Sequence, residues 1–227
     1  MRTSTEFLPA DSIVPAIATN GRARLTGGSS RKDSDLRRMR GFTVVELMIT
    51  LAVAAILFAV AVPSFMTFLN SNRLTGAGND VVSLLQNARM ESLRRGVRVL
   101  VCPSNDGLTC STPDATGWTG MISFADADAN QTPASTEILR TQPFTTPLQL
   151  RASSNLSADN RIVFRPDGFA YEADGDLMTA MLAVCLPVTT PAQNVRDVVI
   201  GTGARIGVLR RNGGGACAAP ANAPPST

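Results

Sequence analysis

The sequence predicts an α+β protein: one long N-terminal helix, its first half able to cross a membrane, packed on a small antiparallel β-sheet or sandwich. Three observations carry this. Phe42 to Val62 is a run of about 21 residues with one formal charge, Glu46, and a helix needs roughly 20 apolar residues to span a bilayer. Beyond it, Phe65, Phe68, Leu69, Leu74, Val81, Leu85, Ala88 and Leu93 recur at helical spacing with Arg, Asn and Ser between them, the pattern of an amphipathic helix. From Gly96 onward the pattern changes to short apolar runs separated by Gly, Pro, Asn and Asp, which signals strands.

Residues 1–41 are polar, rich in Ser, Thr, Gly and Arg, and hold no sustained hydrophobic period, so they read as a leader, or in part as a mis-assigned start, outside the fold. Met39 offers another initiator. The helix is expected over 42–95, with 42–62 as its transmembrane part. Proline removes a backbone donor and clashes with the preceding turn, so Pro63 is expected to kink or interrupt this helix. Gly76 and Gly78 weaken its middle. Arg89, Arg94 and Arg95 suit the negative end of the helix dipole, and Gly96 is a natural stop. At 1.5 Å per residue such a helix would be about 80 Å long.

A β-rich domain is expected over 96–211. Its candidate strands are Val97 to Cys102, Gly120 to Ala125, Glu137 to Thr141, Leu148 to Arg151, Arg161 to Arg165, Gly168 to Glu172, Met178 to Leu186, Val195 to Ile200 and Arg205 to Arg210. Arg165-Pro166-Asp167-Gly168 reads as a hairpin turn, and Gly201-Thr202-Gly203 as the turn joining the last two strands. Trp118, the only tryptophan, reads as core filler. Residues 212–227 are Gly, Ala and Pro in the main, and read as a flexible tail apart from Cys217.

Composition narrows the chemistry. The chain holds 21 basic and 18 acidic residues, but residues 1–41 contain 8 and 4 of these, which leaves 13 and 14 for the rest. The chain beyond Gly41 is therefore near neutral, with no bulk electrostatic footprint for nucleic acid. There is no histidine, so Ser-His and Cys-His activation schemes are unavailable, and no phosphate-cradling Gly loop is present; the sequence does not read as an enzyme. The cysteine spacings lack a paired C-x-x-C pattern, which with the missing histidine argues against zinc. Cys102, Cys110, Cys185 and Cys217 permit three pairings if all are bridged. Cys102 with Cys110, closing a turn-rich loop, and Cys185 with Cys217, tying down the tail, are favoured; buried reduced thiols are the other possibility.

Glu46 is the residue that needs a reason. A charge in the hydrocarbon costs on the order of 2.5–3.5 kcal/mol on insertion scales, and such a group is by default functional, with a partner to be found. The stretch around it, GFTVVELMITLAVAAILFAVAVP from Gly41 to Pro63, resembles the N-terminal motif of the type IV pilin and type II secretion pseudopilin family. That resemblance implies a cut by a membrane prepilin peptidase between Gly41 and Phe42, methylation of the new Phe42 amine, and a Glu46 that meets the terminal amine of a neighbouring subunit. It also implies a helix-interrupting proline near Pro63, a single-pass anchor in the bacterial inner membrane with the domain in the periplasm, and incorporation into a pilus or pseudopilus. The implied partners are other pilins or pseudopilins, the peptidase, an inner-membrane assembly platform and lipid; no cofactor is implied. Arg37, Arg38 and Arg40 fit a cytoplasmic leader.

The resemblance is to the GspH/FimT branch in particular, on Leu84-Leu85-Gln86-Asn87-Ala88-Arg89-Met90-Glu91-Ser92-Leu93-Arg94-Arg95-Gly96, Cys102-Pro103, Gly117-Trp118, Phe124-Ala125-Asp126 and the Gly168 hairpin, and it covers Gly41 to about Val208. It implies a minor subunit near the tip of the filament. Two other readings of the N-terminal run stay open: an ordinary anchor whose Glu46 merely faces the helix dipole, and a secretory signal peptide cut after Ala59-Val60-Ala61, which would release a soluble protein beginning at Val62.

Two weaker constellations remain. Asp126, Asp128 and Asn130, with Glu137 at the twelfth place, follow the D-x-D-x-N…E spacing of a calcium loop, although Gln131 stands where that loop wants Gly. Some FimT-like members take up DNA through a Gly-Arg-x-Arg motif; Gly203-Ala204-Arg205-Ile206 departs from it at both arginine positions. Arg205, Arg210 and Arg211, with Arg196 nearby, could still form a cationic edge for DNA phosphates, or could keep neighbouring sheets from pairing.

Overall fold

The computed structural model describes residues 41–114, 117–157, 160–172 and 175–222. The chain divides into two compact units, Met1–Val44 and Val45–Thr227; of the first, the described part is non-helical Gly41, Phe42 and Thr43 and the opening residue of a helix. That helix, α1, spans Val44–Arg95, 52 residues. It is continuous through Pro63, so the interruption expected there does not occur. Proline withholds one N–H from the ladder, but helix already formed on both sides supplies the nucleus, and one lost bond does not stop propagation. Gly76 and Gly78 are carried in the same way. Gly96 ends the helix as a left-handed cap, with φ of +67° and its N–H donating to Ser92 O at 3.0 Å.

Nine strands follow: β1 (Arg98–Pro103), β2 (Gly120–Asp126), β3 (Ile138–Pro143), β4 (Gln149–Ala152), β5 (Ile162–Phe164), β6 (Ala170–Tyr171), β7 (Ala180–Cys185), β8 (Val195–Gly201) and β9 (Arg205–Arg211). A one-turn helix, α2 (Ser154–Ser157), and a 3-10 turn at Thr202–Ala204 complete the described elements. The strands form two antiparallel sheets, ordered β3-β2-β1-β5-β6 and β4-β7-β8-β9. The Arg165–Gly168 turn joins β5 to β6, Gly168 N–H donating to Arg165 O at 2.9 Å.

Strand alternation sends one set of side chains from each sheet toward α1. Val99, Val101, Ile162 and Phe164 from the first sheet and Leu182, Val184, Val198 and Ile200 from the second meet Val81, Leu84, Leu85 and Ala88 of α1 in one fully buried core. The helix contributes a stripe from Leu74 to Ser92 at three- and four-residue spacing; of the face read from the sequence, Leu74, Val81, Leu85 and Ala88 are buried, whereas Phe65, Phe68 and Leu93 are exposed. On the far side of the first sheet, Leu100, Cys102, Ile122 and Phe124 make a smaller core under the loop that Cys110 closes. Trp118, 3% exposed, belongs to the main core.

Both disulfides are formed: Cys102–Cys110 and Cys185–Cys217, with Cα atoms 5.6 and 5.5 Å apart. Over its described part the C-terminal segment is fastened, contrary to the loose tail read from composition. Besides the disulfide, Gly213 N–H donates to Asn194 Oδ1 at 2.8 Å, and Asn222 Oδ1 accepts from Ser154 Oγ at 3.0 Å. Low side-chain content does not prevent anchoring when the partners are backbone N–H groups and a buried asparagine.

Candidate functional site

The residues between Glu46 and Arg73 carry no ionisable side chain, and residues 47–66, half-buried Ala54 apart, are exposed. Phe42 is 80% exposed and Phe58 66%, and none of the most apolar window of α1 is buried. It is, among the described residues, the one helix long and apolar enough to cross a membrane. Exposed apolar side chains on every face of a helix are what lipid or neighbouring apolar helices would cover. Internal polar groups are closed off: Thr50 Oγ1 donates to Leu47 O at 2.9 Å, and Thr67 Oγ1 to Pro63 O at 3.0 Å. Pairing each hydroxyl in this way is what a low-dielectric surrounding demands.

Glu46 lies in the first turn of α1. A carboxylate there faces the positive end of the helix dipole, which lowers the cost of its charge. Just before it, a Cβ built on Gly41 meets no atom within 4 Å. Gly41 and Phe42 lie outside the helix, and Phe42 is exposed.

The exposed half ends where the domain begins. Asn70 Nδ2 donates to Thr190 O at 3.0 Å, and the buried stripe starts at Leu74. Asn70 is thus the first side chain that fastens α1 to the sheets, a role the sequence did not suggest because an isolated asparagine in a helix carries no such signal. Further along, Arg89 Nη1 donates to Ala204 O and Ser92 Oγ to Arg165 O, both at 3.1 Å. Glu91 accepts from Arg94 and Arg95, each at 2.7 Å, and those hydrogen bonds, Arg94 first, hold its carboxyl down at about 2.

The candidate calcium residues do not converge. Asp126, side chain 0% exposed, turns to Arg98 Nη2 at 2.7 Å and accepts from Gln131 N–H at 3.0 Å. Asp128 accepts from the Asn130 side chain, and Glu137 Oε2 from Ala134 N–H at 3.0 Å. Among the described residues no group of three acidic or cysteine side chains is placed to hold a metal ion. The segment is a self-bonded polar loop.

The three candidate DNA-contacting arginines are likewise separated. Strand parity puts Arg205 and Arg211 on one face of β9 and Arg210 on the other. Arg211 is engaged, donating to both oxygens of the nearly buried Asp197 at 2.6 and 3.0 Å. Arg196, which the sequence placed only nearby, is 3% exposed and faces α1, against Gly78.

The family model of type II transport protein GspH matches residues 77–204, and that of the prokaryotic N-terminal methylation motif matches residues 36–62. The chain is 31% identical over 87 residues to the type IV major fimbrial protein FimA of Dichelobacter nodosus, a match that covers 38% of this chain and 46% of that protein. A fimbrial protein of the same organism matches to the same extent. The chain therefore spans about half the length of the curated relatives it matches. Among solved structures, the type IV minor pilin FimU of Pseudomonas aeruginosa aligns with a TM-score of 0.43 and 18% identity, covering 60% of this chain and 92% of that one.

Proposed function

The chain belongs to the GspH family of type II transport proteins, and we propose on that footing that it is a minor pilin or pseudopilin, a structural subunit drawn into a filament. It is a family of assembly components and not of catalysts, and the chain carries the methylation motif of prepilins at its N-terminal end. In this reading a prepilin peptidase cuts after Gly41 and methylates Phe42. Residues 42–62 hold the subunit in the bacterial inner membrane, and the domain at 96–211 lies outside the cytoplasm. In the filament the subunit stands near the tip, as its resemblance to minor subunits suggests.

One observation carries the reading: Glu46 is the single ionisable side chain of the 42–62 run, whose large apolar side chains are exposed. A charge at lipid depth is costly. A new amine at Phe42 of an adjoining subunit removes the cost for both groups, because stranding one partner of a buried pair costs about 3–5 kcal/mol. Subunits then dock in the one register that joins the two charges, while apolar surfaces supply the area.

The test is N-terminal mass spectrometry on the purified membrane form, with Glu46→Ala alongside. The expected polypeptide begins at N-methylated Phe42, and the variant inserts into the membrane but does not enter filaments. A mature chain beginning at Val62 would establish the secretory signal in its place, and normal filaments from the Glu46 variant would remove the pairing mechanism.

A further inference from the structure

The second sheet ends in an edge that, among the described residues, carries no protection besides the charges of Arg205, Arg210 and Arg211. Natural edges are blunted by shortness, bulges, proline or a covering segment. β6 has two residues, β4 has four and is bridged at Leu150 by Trp118, and β3 carries a register shift and ends in Pro143. β9 has seven residues, pairs with β8 in unbroken register and contains no proline. Among the described residues no strand pairs with its other side. Val208 and Leu209 are 40% and 58% exposed there, and a Cβ built on Gly207 meets no atom within 4 Å. The described part of the segment after β9 turns away to the Cys185–Cys217 bond and does not pair with this edge.

A second, independent observation concerns charge. Arg196 and Arg210 are directly paired across β8 and β9. Paired residues share a face, and Arg196 faces α1, so both cations lie on the helix side of the sheet. Like charges directly opposite are unfavourable. No carboxylate pairs with either among the described residues, whose ion pairs involve Arg94, Arg95, Arg98 and Arg211. Arg196 Nη1 donates only to the carbonyls of Gln193 and Val195, and its buried Nε has no partner. Burial, and then the charge of Arg210, push the Arg196 guanidinium below its usual value.

We propose that the free edge of β9 is a strand-addition site for an extended acidic segment of a partner protein. The incoming backbone completes the hydrogen bonds of the edge, as in β-augmentation. Its apolar side chains cover Leu209 on the outer face, and a carboxylate on the helix side sits at Arg210 and neutralises the arginine pair. A second copy of this chain is the poorer occupant: antiparallel self-pairing of β9 centred on Val208 sets Arg205 against Arg211 and leaves Arg210 opposite Ile206, so no acid reaches the pair.

The experiment uses the full chain in detergent micelles and a short synthetic peptide alternating Val and Glu, with the same peptide carrying Lys for Glu as the comparison. Hydrogen exchange is followed across Arg205–Arg211. The expected result is slowed exchange at alternate amides with the Glu peptide and not with the Lys peptide. Arg210→Glu is expected to reverse that preference, and Arg210→Gln to weaken binding of the Glu peptide about fivefold, the scale of one exposed ion pair. Exchange unaffected by the Glu peptide, or slowed equally by both peptides, overturns the proposal. So does protection that rises with protein concentration alone, which assigns the edge to a second copy. The result is separable from the filament reading, since a mature terminus elsewhere than Phe42 leaves the peptide data standing, and loss of peptide binding leaves assembly through α1 standing.

Discussion

Gly78 of α1 lies against Arg196 of β8 so closely that a Cβ built on the glycine stands 3.5 Å from the arginine Cβ. That is ordinary van der Waals contact, with room for one methyl and no more. The glycine lets the helix settle on a sheet face that already holds a large buried cation.

Gly78→Ala should therefore be tolerated and slightly stabilising, by about 0.5–1 kcal/mol from helix propensity. Gly78→Leu should cost roughly 1–3 kcal/mol, because overpacking must push α1 off β8. Chemical denaturation of the two variants in micelles checks the sign of each; a leucine variant as stable as the alanine one would mean that helix and sheet are not in close contact here.

The two disulfides should differ in worth. Loop-closure entropy grows with the residues enclosed, so Cys217→Ser, opening a separation of 32, should cost about 3–4 kcal/mol, and Cys110→Ser, opening one of 8, about 2–3 kcal/mol. Limited proteolysis gives a second readout: cleavage within 212–222 should appear in the Cys217 variant and not in the Cys110 variant.

Acid should weaken the domain through Glu91 and Asp106. Glu91, bonded by Arg94 and then Arg95, is held at about 2 against an ordinary 4.5. Asp106, which accepts from Thr109 N–H, Leu108 N–H, Thr109 Oγ1 and Ser104 Oγ, is held well below the usual carboxylate range. Both groups bind protons less readily folded than unfolded, so their stabilisation is complete above about pH 4.5 and is lost as pH falls toward 2. Thermal midpoints across that window should drop, and Glu91→Gln should flatten the slope; an unchanged slope in that variant would show that its bonds to arginine contribute nothing.

Calcium should do nothing to this domain. Asp126 is committed to Arg98 and Gln131, so millimolar calcium or a chelator should leave the thermal midpoint where it is. Asp126→Ala should instead lower stability by about 1–3 kcal/mol, by stranding a partly buried guanidinium. A midpoint that rises with calcium would restore the cation-loop reading.

Much of the architecture was legible before any coordinates, and for local reasons. All nine expected strands exist, because runs such as Arg98–Pro103 and Val195–Gly201 are β-branched and apolar and are bounded by turn residues. The helix was legible from its stripe, but not its continuity at Pro63: proline is a local penalty, and the interruption expected from it is outweighed by helix on both sides. How the strands divide between two sheets was not legible, since pairing is a long-range choice. Nor was the fastening of the tail, because Asn194 is one asparagine among several until the fold brings Gly213 to it. In the candidate site, Glu46 stood out because an acid in an apolar run is rare. Arg196 did not, because nothing in a strand sequence says that its arginine will be turned inward.

The bond between Cys185 and Cys217 also makes the chain a recorder of its own itinerary. Thiols stay reduced in the cytosol and oxidise in envelope compartments, so the four cysteines of a molecule that never left carry free sulfhydryls, and those of one whose domain was exported do not. If the domain lies outside the cytoplasm, as proposed, counting reactive thiols on material drawn from cells separates molecules awaiting translocation from those that have completed it.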